Sequence, residues 1–304
     1  MKSIKRIICT LMLVAQFGCV LSCLEIAYAD TYISPELVDV KTAVIKPEMP
    51  DFEPTLGTYN YTVSWEGIPA ADLTATVDQV GDHIRLTASA KTYSGIDIIY
   101  KLRYKAEGLI TTTDFRPVKS TFEQTENSRH KFTEIKFEPN GKVDAVRVDF
   151  KKDEIKTLSF DPENYMLDPF AASFLARSVN WEQGVTRQFD TFNGKSRYLI
   201  SLTAVEKTKI EYNDEEREVW VISPTVVNLS VPEQTAKLRK AQIYVTADKA
   251  RDIVKIVSSV YIGSIYTELD SIQPAQPQRM LARYAGTIKE EPVKAGAAAS
   301  AKIN

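Results

Sequence analysis

The 304-residue sequence predicts a mostly β protein: a curved antiparallel sheet, laid out as a meander or half-open barrel, with one short capping helix near residues 168–179. Three observations predict it. Apolar side chains recur at every second position in run after run, which places one face of each strand against a core and leaves the other wet. Asn-Gly and Gly-Asp pairs stand between such runs and supply the positive φ angles that tight hairpins need. Only one segment has strong helical spacing, so most runs lack the crossover that parallel pairing would require.

In chain order, the first segment reads as an export signal. Lys2, Lys5 and Arg6 precede an apolar run from Ile7 to Leu24, and Ala27-Tyr28-Ala29 forms a small-x-small cleavage site before Asp30. Residues 1–29 are therefore expected to leave, giving a periplasmic protein that starts at Asp30. Two rival readings are an uncleaved anchor and a lipoprotein acylated on Cys23 after Val20-Leu21-Ser22. Cleavage after Ala29 also removes Cys9, Cys19 and Cys23, the 3 cysteines of the sequence. The exported chain would then hold no disulfide, thiolate metal site or cysteine nucleophile.

Residues 30–56 carry Pro35, Pro47, Pro50 and Pro54 and read as an extended Pro-rich arm. Residues 57–272 read as a single β-rich domain. Alternation is clear in Tyr59, Tyr61, Val63 and Trp65, in Leu73, Ala75 and Val77, and in Ile84, Leu86 and Ala88. It returns in Val146, Val148 and Phe150, in Tyr198, Ile200, Leu202 and Ala204, and in Ile243 and Val245. Turns are expected at Gly81-Asp82, Asn140-Gly141 and Asn193-Gly194. The exception is Asp168 to Val179, where Asp168 suits the N-cap, Pro169 the first helical position and Arg177 the last turn. Phe170, Phe174 and Leu175 share one face of that helix, which is expected to close one side or end of the sheet. Residues 273–304, opening on Gln273-Pro274-Ala275-Gln276-Pro277 and closing in an Ala-rich run, have little with which to build a core and read as a disordered tail.

Charge excludes one function class. A net charge of −2, with basic residues scattered rather than striped, leaves no footprint for nucleic acid. Catalytic signatures are missing too: the sequence has no Gly-x-Ser-x-Gly elbow, P-loop or dinucleotide fingerprint. His83 and His130, the only histidines, lie far apart and read as strand-end or turn residues. Glu66, Asp97, Glu107, Asp114 and Asp168 are available for a carboxylate pair, which leaves no local signature. The acidic run Asp214 to Glu218 reads as a solvated hairpin tip rather than a calcium loop.

At three places the sequence resembles an exported envelope family of Gram-negative bacteria classed as a domain of unknown function. The first is the Asp-Pro that opens a short helix ending in Arg: Asp168, Pro169 and Arg177. Next come Gly184 and a hairpin with Gly194-Lys195 and Tyr198. The last is an Asp-containing turn, Asp248, before a final strand with Gly263, Ile265 and Leu269. The likeness spans most of Tyr59 to Leu269 and departs after Pro169, where Phe170-Ala171 replaces the usual Leu-Ser. It implies a β-dominated envelope protein, distantly like the outer-membrane lipoprotein carriers, and implies no reaction.

These readings combine into an expected function: a non-enzymatic periplasmic binding or assembly factor, without metal or cofactor, for an apolar or amphipathic envelope molecule. Lipid, glycan and protein partners all fit, as does transient contact with a membrane. Trp65, Tyr104, Trp181 and Tyr198 are the candidate lining of a trough on the concave face. The alternatives are a carboxylate-dependent carbohydrate-active enzyme in the same groove, and a structural subunit recruiting partners through the arm or a strand edge.

Overall fold

The computed structural model describes residues 40, 43–162, 165–212, 214–231, 241–259 and 263–275. The proposed signal segment, the start of the arm and the tail beyond residue 275 lie outside them. Fourteen strands form one antiparallel sheet among the described residues, in the order β8-β7-β6-β5-β4-β3-β2-β1-β14-β13-β12-β11-β10-β9. The first half runs as successive hairpins through β1 (Gly57–Trp65), β2 (Ile68–Val80), β3 (His83–Thr92), β4 (Leu102–Thr111), β5 (Pro117–Glu126), β6 (Arg129–Phe137), β7 (Val143–Asp149) and β8 (Glu154–Phe160). The second half runs through β9 (Thr186–Phe192), β10 (Arg197–Tyr212), β11 (Glu215–Asn228), β12 (Ala241–Thr246), β13 (Ile253–Ser259) and β14 (Ser264–Pro274). β14 then pairs with β1, from Gly57 opposite Pro274 to Trp65 opposite Ile265, and joins the two halves; Gln273 and Pro274, expected in the tail, are the last residues of this strand because they pair with Thr58 and Gly57.

The expected period of two is what most strands display. In β7 and the turn after it the expected row Val146, Val148 and Phe150 faces outward, because Val143 and Ala145 are the positions that meet the core. Tyr59, Tyr61, Val63, Leu73, Ala75, Val77, Ile84, Leu86 and Ala88 all face one buried core, while the residues between them are more exposed. All three expected turns join strands: Gly81-Asp82 between β2 and β3, Asn140-Gly141 between β6 and β7, and Asn193-Gly194 between β9 and β10. The acidic run is a tip only at its start, because Glu215 to Glu218 already belong to β11, where Lys209 pairs with Glu216 and Lys207 with Glu218.

Two short helices complete the fold among the described residues, α1 (Ser94–Asp97) and α2 (Pro169–Arg177). α2 follows β8 and precedes β9, the two edges of the sheet, so the chain must pass from one edge to the other at this point. All nine α2 residues are buried, although its sequence marks only one apolar stripe. The sheet curls around it: Phe170 stacks on Phe122 of β5 at 5.8 Å, and α2 residues share a small cavity with β1, β2, β3, β13 and β14. Gly108 of β4 makes room for this approach, since a Cβ there would collide with the Phe170 ring.

The curl brings the edges near one another without pairing them. Phe160 of β8 meets Phe192 of β9 edge-on, with ring centroids 5.3 Å apart. Gly194, at φ 86°, lets the β9–β10 turn press against Thr133 of β6, where a side chain would clash. Leu167 then covers the free edge of β9, its N–H donating to Asp190 O at 2.9 Å and its carbonyl accepting from Phe192 N at 2.8 Å. The arm adds Val44 N donating to Gln188 O at 2.8 Å, and a Glu48–Arg187 ion pair at 3.0 Å. Such cover keeps a strand edge from pairing with other chains.

Candidate functional site: the interior helix and its tethers

The concave face of the sheet is the place to look for a guest, and α2 occupies it. At its N-terminus Asp168 has extended backbone and is fully buried; its carboxylate accepts from Ala171 N at 2.6 Å and from the Ser120 hydroxyl on β5. Pro169 follows at the first helical turn, where its missing N–H costs nothing. Burial pushes the Asp168 carboxyl up to about 6, against the hydrogen bonds from Ser120, Ala171 and Phe170 that favour its charged form. Nearby, Tyr165 lies under the Arg116 guanidinium at 5.1 Å, and burial drives its hydroxyl far above the ordinary phenol value.

Arg177 anchors the other end. Its Nε donates to Arg251 O at 2.7 Å, and its Nη2 donates to Ala250 O at 2.8 Å and to the Asp252 carboxylate at 2.9 Å. Asp252 also accepts from Tyr59 at 2.7 Å and from Thr55 at 3.0 Å. The β12–β13 turn that presents these carbonyls is shaped by Asp248, whose carboxylate accepts from Thr246 Oγ1 at 2.7 Å and from Ala250 N at 3.1 Å. The guanidinium sits over the rings of Phe174 and Phe52, at 5.3 and 5.7 Å. A cation desolvated this way needs several good acceptors, and the turn supplies them.

Residues of one sequence pattern, Asp168, Pro169, Arg177 and Asp248, thus meet as the two tethers of a single buried helix. A family profile described as a protein of unknown function, DUF3108, matches residues 60–270, which covers both tethers and the sheet around them. The chain belongs to the DUF3108 family. No curated protein matches it. Among solved structures it is similar to a β-barrel-like protein of the DUF1849 domain from Brucella abortus, at 9% identity and a TM-score of 0.48, over 74% of this chain and 99% of that one. A candidate lipoprotein from Parabacteroides distasonis ATCC 8503 is a more distant likeness, at 8% identity and a TM-score of 0.28, over 76% of this chain and 100% of that one.

The remaining positions singled out in the sequence, all within the matched residues 60–270, are spread over the fold. Gly184, with a positive φ, leads into β9 and donates its N–H to Ala204 O at 2.7 Å. Gly194 makes the close approach to β6 described above. Gly263 precedes β14 beside Glu66, whose carboxylate accepts from Ser264 N. Leu269 is buried on β14 opposite Tyr61. Of the four proposed lining aromatics, Tyr104, Trp181 and Tyr198 are buried in the core and Trp65 packs against it half-buried. Trp181 donates its indole N–H to Ala176 O at 3.2 Å, closing the C-terminal end of α2.

These rings fill the interior rather than line a trough. The cavity between α2 and the sheet, bordered by Tyr59, Tyr61, Phe170, Ser173, Phe174 and Arg177 among others, has about 30 Å³ of room. That suits a water molecule or two, whereas small-molecule sites run to roughly 300–1,000 Å³. The candidate carboxylates do not converge on it. Glu66 caps β14, Asp97 pairs with Arg103, Asp114 pairs with Arg116, and Glu107 lies exposed on β4. His83 pairs with Asp82 at 2.7 Å, and His130 with Glu123 at 3.0 Å while stacking on Phe150. Among the described residues, no group of three His, Cys, Asp or Glu side chains could hold a metal ion.

Sequence reasoning missed Ser120 and Asp252, the partners of the two tethers, because neither carries a local signature. It also missed Asp190 and Arg197, a fully buried pair across the β9–β10 hairpin with Nε to Oδ1 at 2.8 Å. Burial pushes the Asp190 carboxyl up and the Arg197 bonds oppose it. The available signal was Arg197 itself, a charge placed where a run of buried residues begins.

Proposed function

We propose that this DUF3108 protein is an exported, non-enzymatic binding or assembly factor of the cell envelope that meets its partner on its outer surface. The single observation that carries the reading is the interior: a nine-residue helix, tethered at both ends, occupies the space a guest would need. Export, with cleavage after Ala29, rests on the N-terminal charge, apolar run and small-x-small site, and acylation at Cys23 is the competing form of the same address. The titratable groups of the interior support a structural role, since Asp168, Asp190, Arg177 and Arg197 all hold the fold together. An envelope lipid, glycan or protein is the class of partner, engaged from outside the sheet.

Native mass spectrometry of protein released from its own envelope fraction tests this reading. The expected spectrum is the bare exported chain with its new N-terminus at Asp30. A small molecule retained at one per chain would contradict an outer-surface mode of action, and recovery of the chain only from the cytoplasm would contradict export.

A further inference from the structure

Proline removes the N–H donors that a continuous ladder needs, and Pro47, Pro50 and Pro54 are spread along the arm. The arm therefore lies on the body as a strap held at separate points. Val44 N reaches Gln188 O on β9, Glu48 N and Met49 N both donate to Ser178 O at the end of α2, at 3.0 and 2.8 Å, and Glu53 N donates to Lys249 O at 3.0 Å. Between these points the Glu48 carboxylate takes Arg187 at 3.0 Å and accepts from Asn180 N at 3.0 Å. The Phe52 ring meets Phe115 at 5.7 Å and Phe174 at 6.4 Å, both edge-on. The family match begins at residue 60, so the surface under the strap belongs to the matched domain and the strap does not.

That surface offers more than the arm takes. Arg251, on the β12–β13 turn, is only 7% exposed, yet neither its Nε nor its Nη1 has a hydrogen-bond partner among the described residues. Asp248 and the arm's Asp51 are the opposite charges that act on it, and burial holds it below the ordinary arginine value against them. A buried guanidinium without acceptors is costly, so a segment that brings one gains what the arm leaves unused. Phe115 holds φ 55°, an outlier for a bulky side chain, and this strained turn sets its ring against both Phe52 and Phe174. An open cleft of about 590 Å³ is lined by arm residues 43–46 and by Thr186, Arg187 and Gln188 of β9, so the arm does not fill the space beside that strand.

Charge is complementary across the contact. The body presents Arg177, Arg187, Lys249 and Arg251, against Asp248 and Asp252 beneath the arm and Glu182, exposed beyond Asn180. Asp114 and Arg116, which flank Phe115, pair with one another. The arm brings Glu48, Asp51 and Glu53 against Lys46. An excess of cation on the body thus meets an excess of carboxylate on the segment that covers it.

We infer that this surface is a docking site for an extended, acidic protein segment, which the arm occupies within its own chain and a partner's segment displaces. The segment it fits carries a carboxylate for Arg187, an aromatic ring four residues later for the pocket of Phe115, Phe174 and Arg177, and a further carboxylate placed to reach Arg251. The inference rests on the outer-surface reading above and narrows its partner to a protein.

A fluorescein-labelled peptide with the sequence of residues 43–56, added to the full exported chain and followed by anisotropy, tests it. In the parent the tethered arm competes at high effective concentration, so peptide uptake is expected to be about a hundredfold weaker than in a chain loosened by Glu48→Lys with Phe52→Ala. A peptide carrying the same two changes is expected to bind neither chain. Arg187→Met or Arg251→Met, added to the loosened chain, is each expected to weaken uptake about tenfold. Lys105→Gln, on the exposed face of β4, is expected to change nothing. Circular dichroism melts confirm that the variants fold, and Glu48→Lys alone, which keeps the Phe52 contact, provides a second loosened chain. No uptake by a loosened chain that melts cooperatively, or equal uptake by parent and loosened chains, would overturn the docking assignment. Neither result touches the outer-surface reading, which the native mass spectrum judges independently.

Discussion

Replacing Asp168 by Asn should make the protein relatively more stable as pH rises. The carboxyl is fully buried, and burial lifts it from its ordinary value of 3.8 to about 6. Between these values the unfolded chain has released the proton while the folded chain keeps it, so stability from this group is full below pH 4 and falls as pH rises through 6. A shift of about two units, at 1.36 kcal/mol each, corresponds to about 3 kcal/mol lost between pH 4 and pH 7. Asn cannot ionise, yet it keeps the acceptor for Ala171 N and a group for Ser120. Urea unfolding of both proteins at half-unit steps from pH 4 to pH 7.5 gives the difference profile, in which every other carboxylate cancels. The parent should lose about 3 kcal/mol relative to the variant across that window. A difference that grows in the parent's favour with pH would show that the charged cap dominates, and would refute the burial argument.

Three further outcomes follow from the same contacts. Arg177→Gln should cost about 3–5 kcal/mol in denaturant unfolding, because Asp252 and two carbonyls lose a buried cation. Gly108→Ala should cost about 1–3 kcal/mol through collision with the Phe170 ring, and Phe170→Leu in the same chain should recover part of the loss in thermal melts. Arg197→Met alone should destabilise by about 3–5 kcal/mol, whereas Arg197→Met combined with Asp190→Leu should be milder, since the second change removes the stranded charge.

The sheet was legible in the sequence where each strand buries a clean alternating row, as in β1, β2, β3 and β10. β5 was not, because its inward positions include Ser120 and Gln124, polar side chains that break the apolar rhythm while being buried. β4 was obscured in the same way by Gly108, whose lack of a side chain serves the helix packed on it. The helix itself was visible down to its cap, because Asp168, Pro169 and Arg177 act on backbone groups a few residues away. Its depth was hidden. Amphipathic spacing says which face meets a core, but Ala171, Ala172 and Ala176 are small enough to be buried on the remaining faces as well. The packing of the concave side was hidden for a related reason: alternation shows that one side of a sheet is covered and is silent on whether chain or ligand covers it.

Hydrogen exchange along α2 is the most direct test of a permanently filled interior. The amides from Ala172 to Ser178 should exchange as slowly as those of β1 and β2, only through global unfolding, because the helix is tied to Ser120 at one end and to the β12–β13 turn at the other. Exchange of α2 by a separate, much faster opening, with the strands still protected, would contradict this and show an inside that can be vacated for a guest.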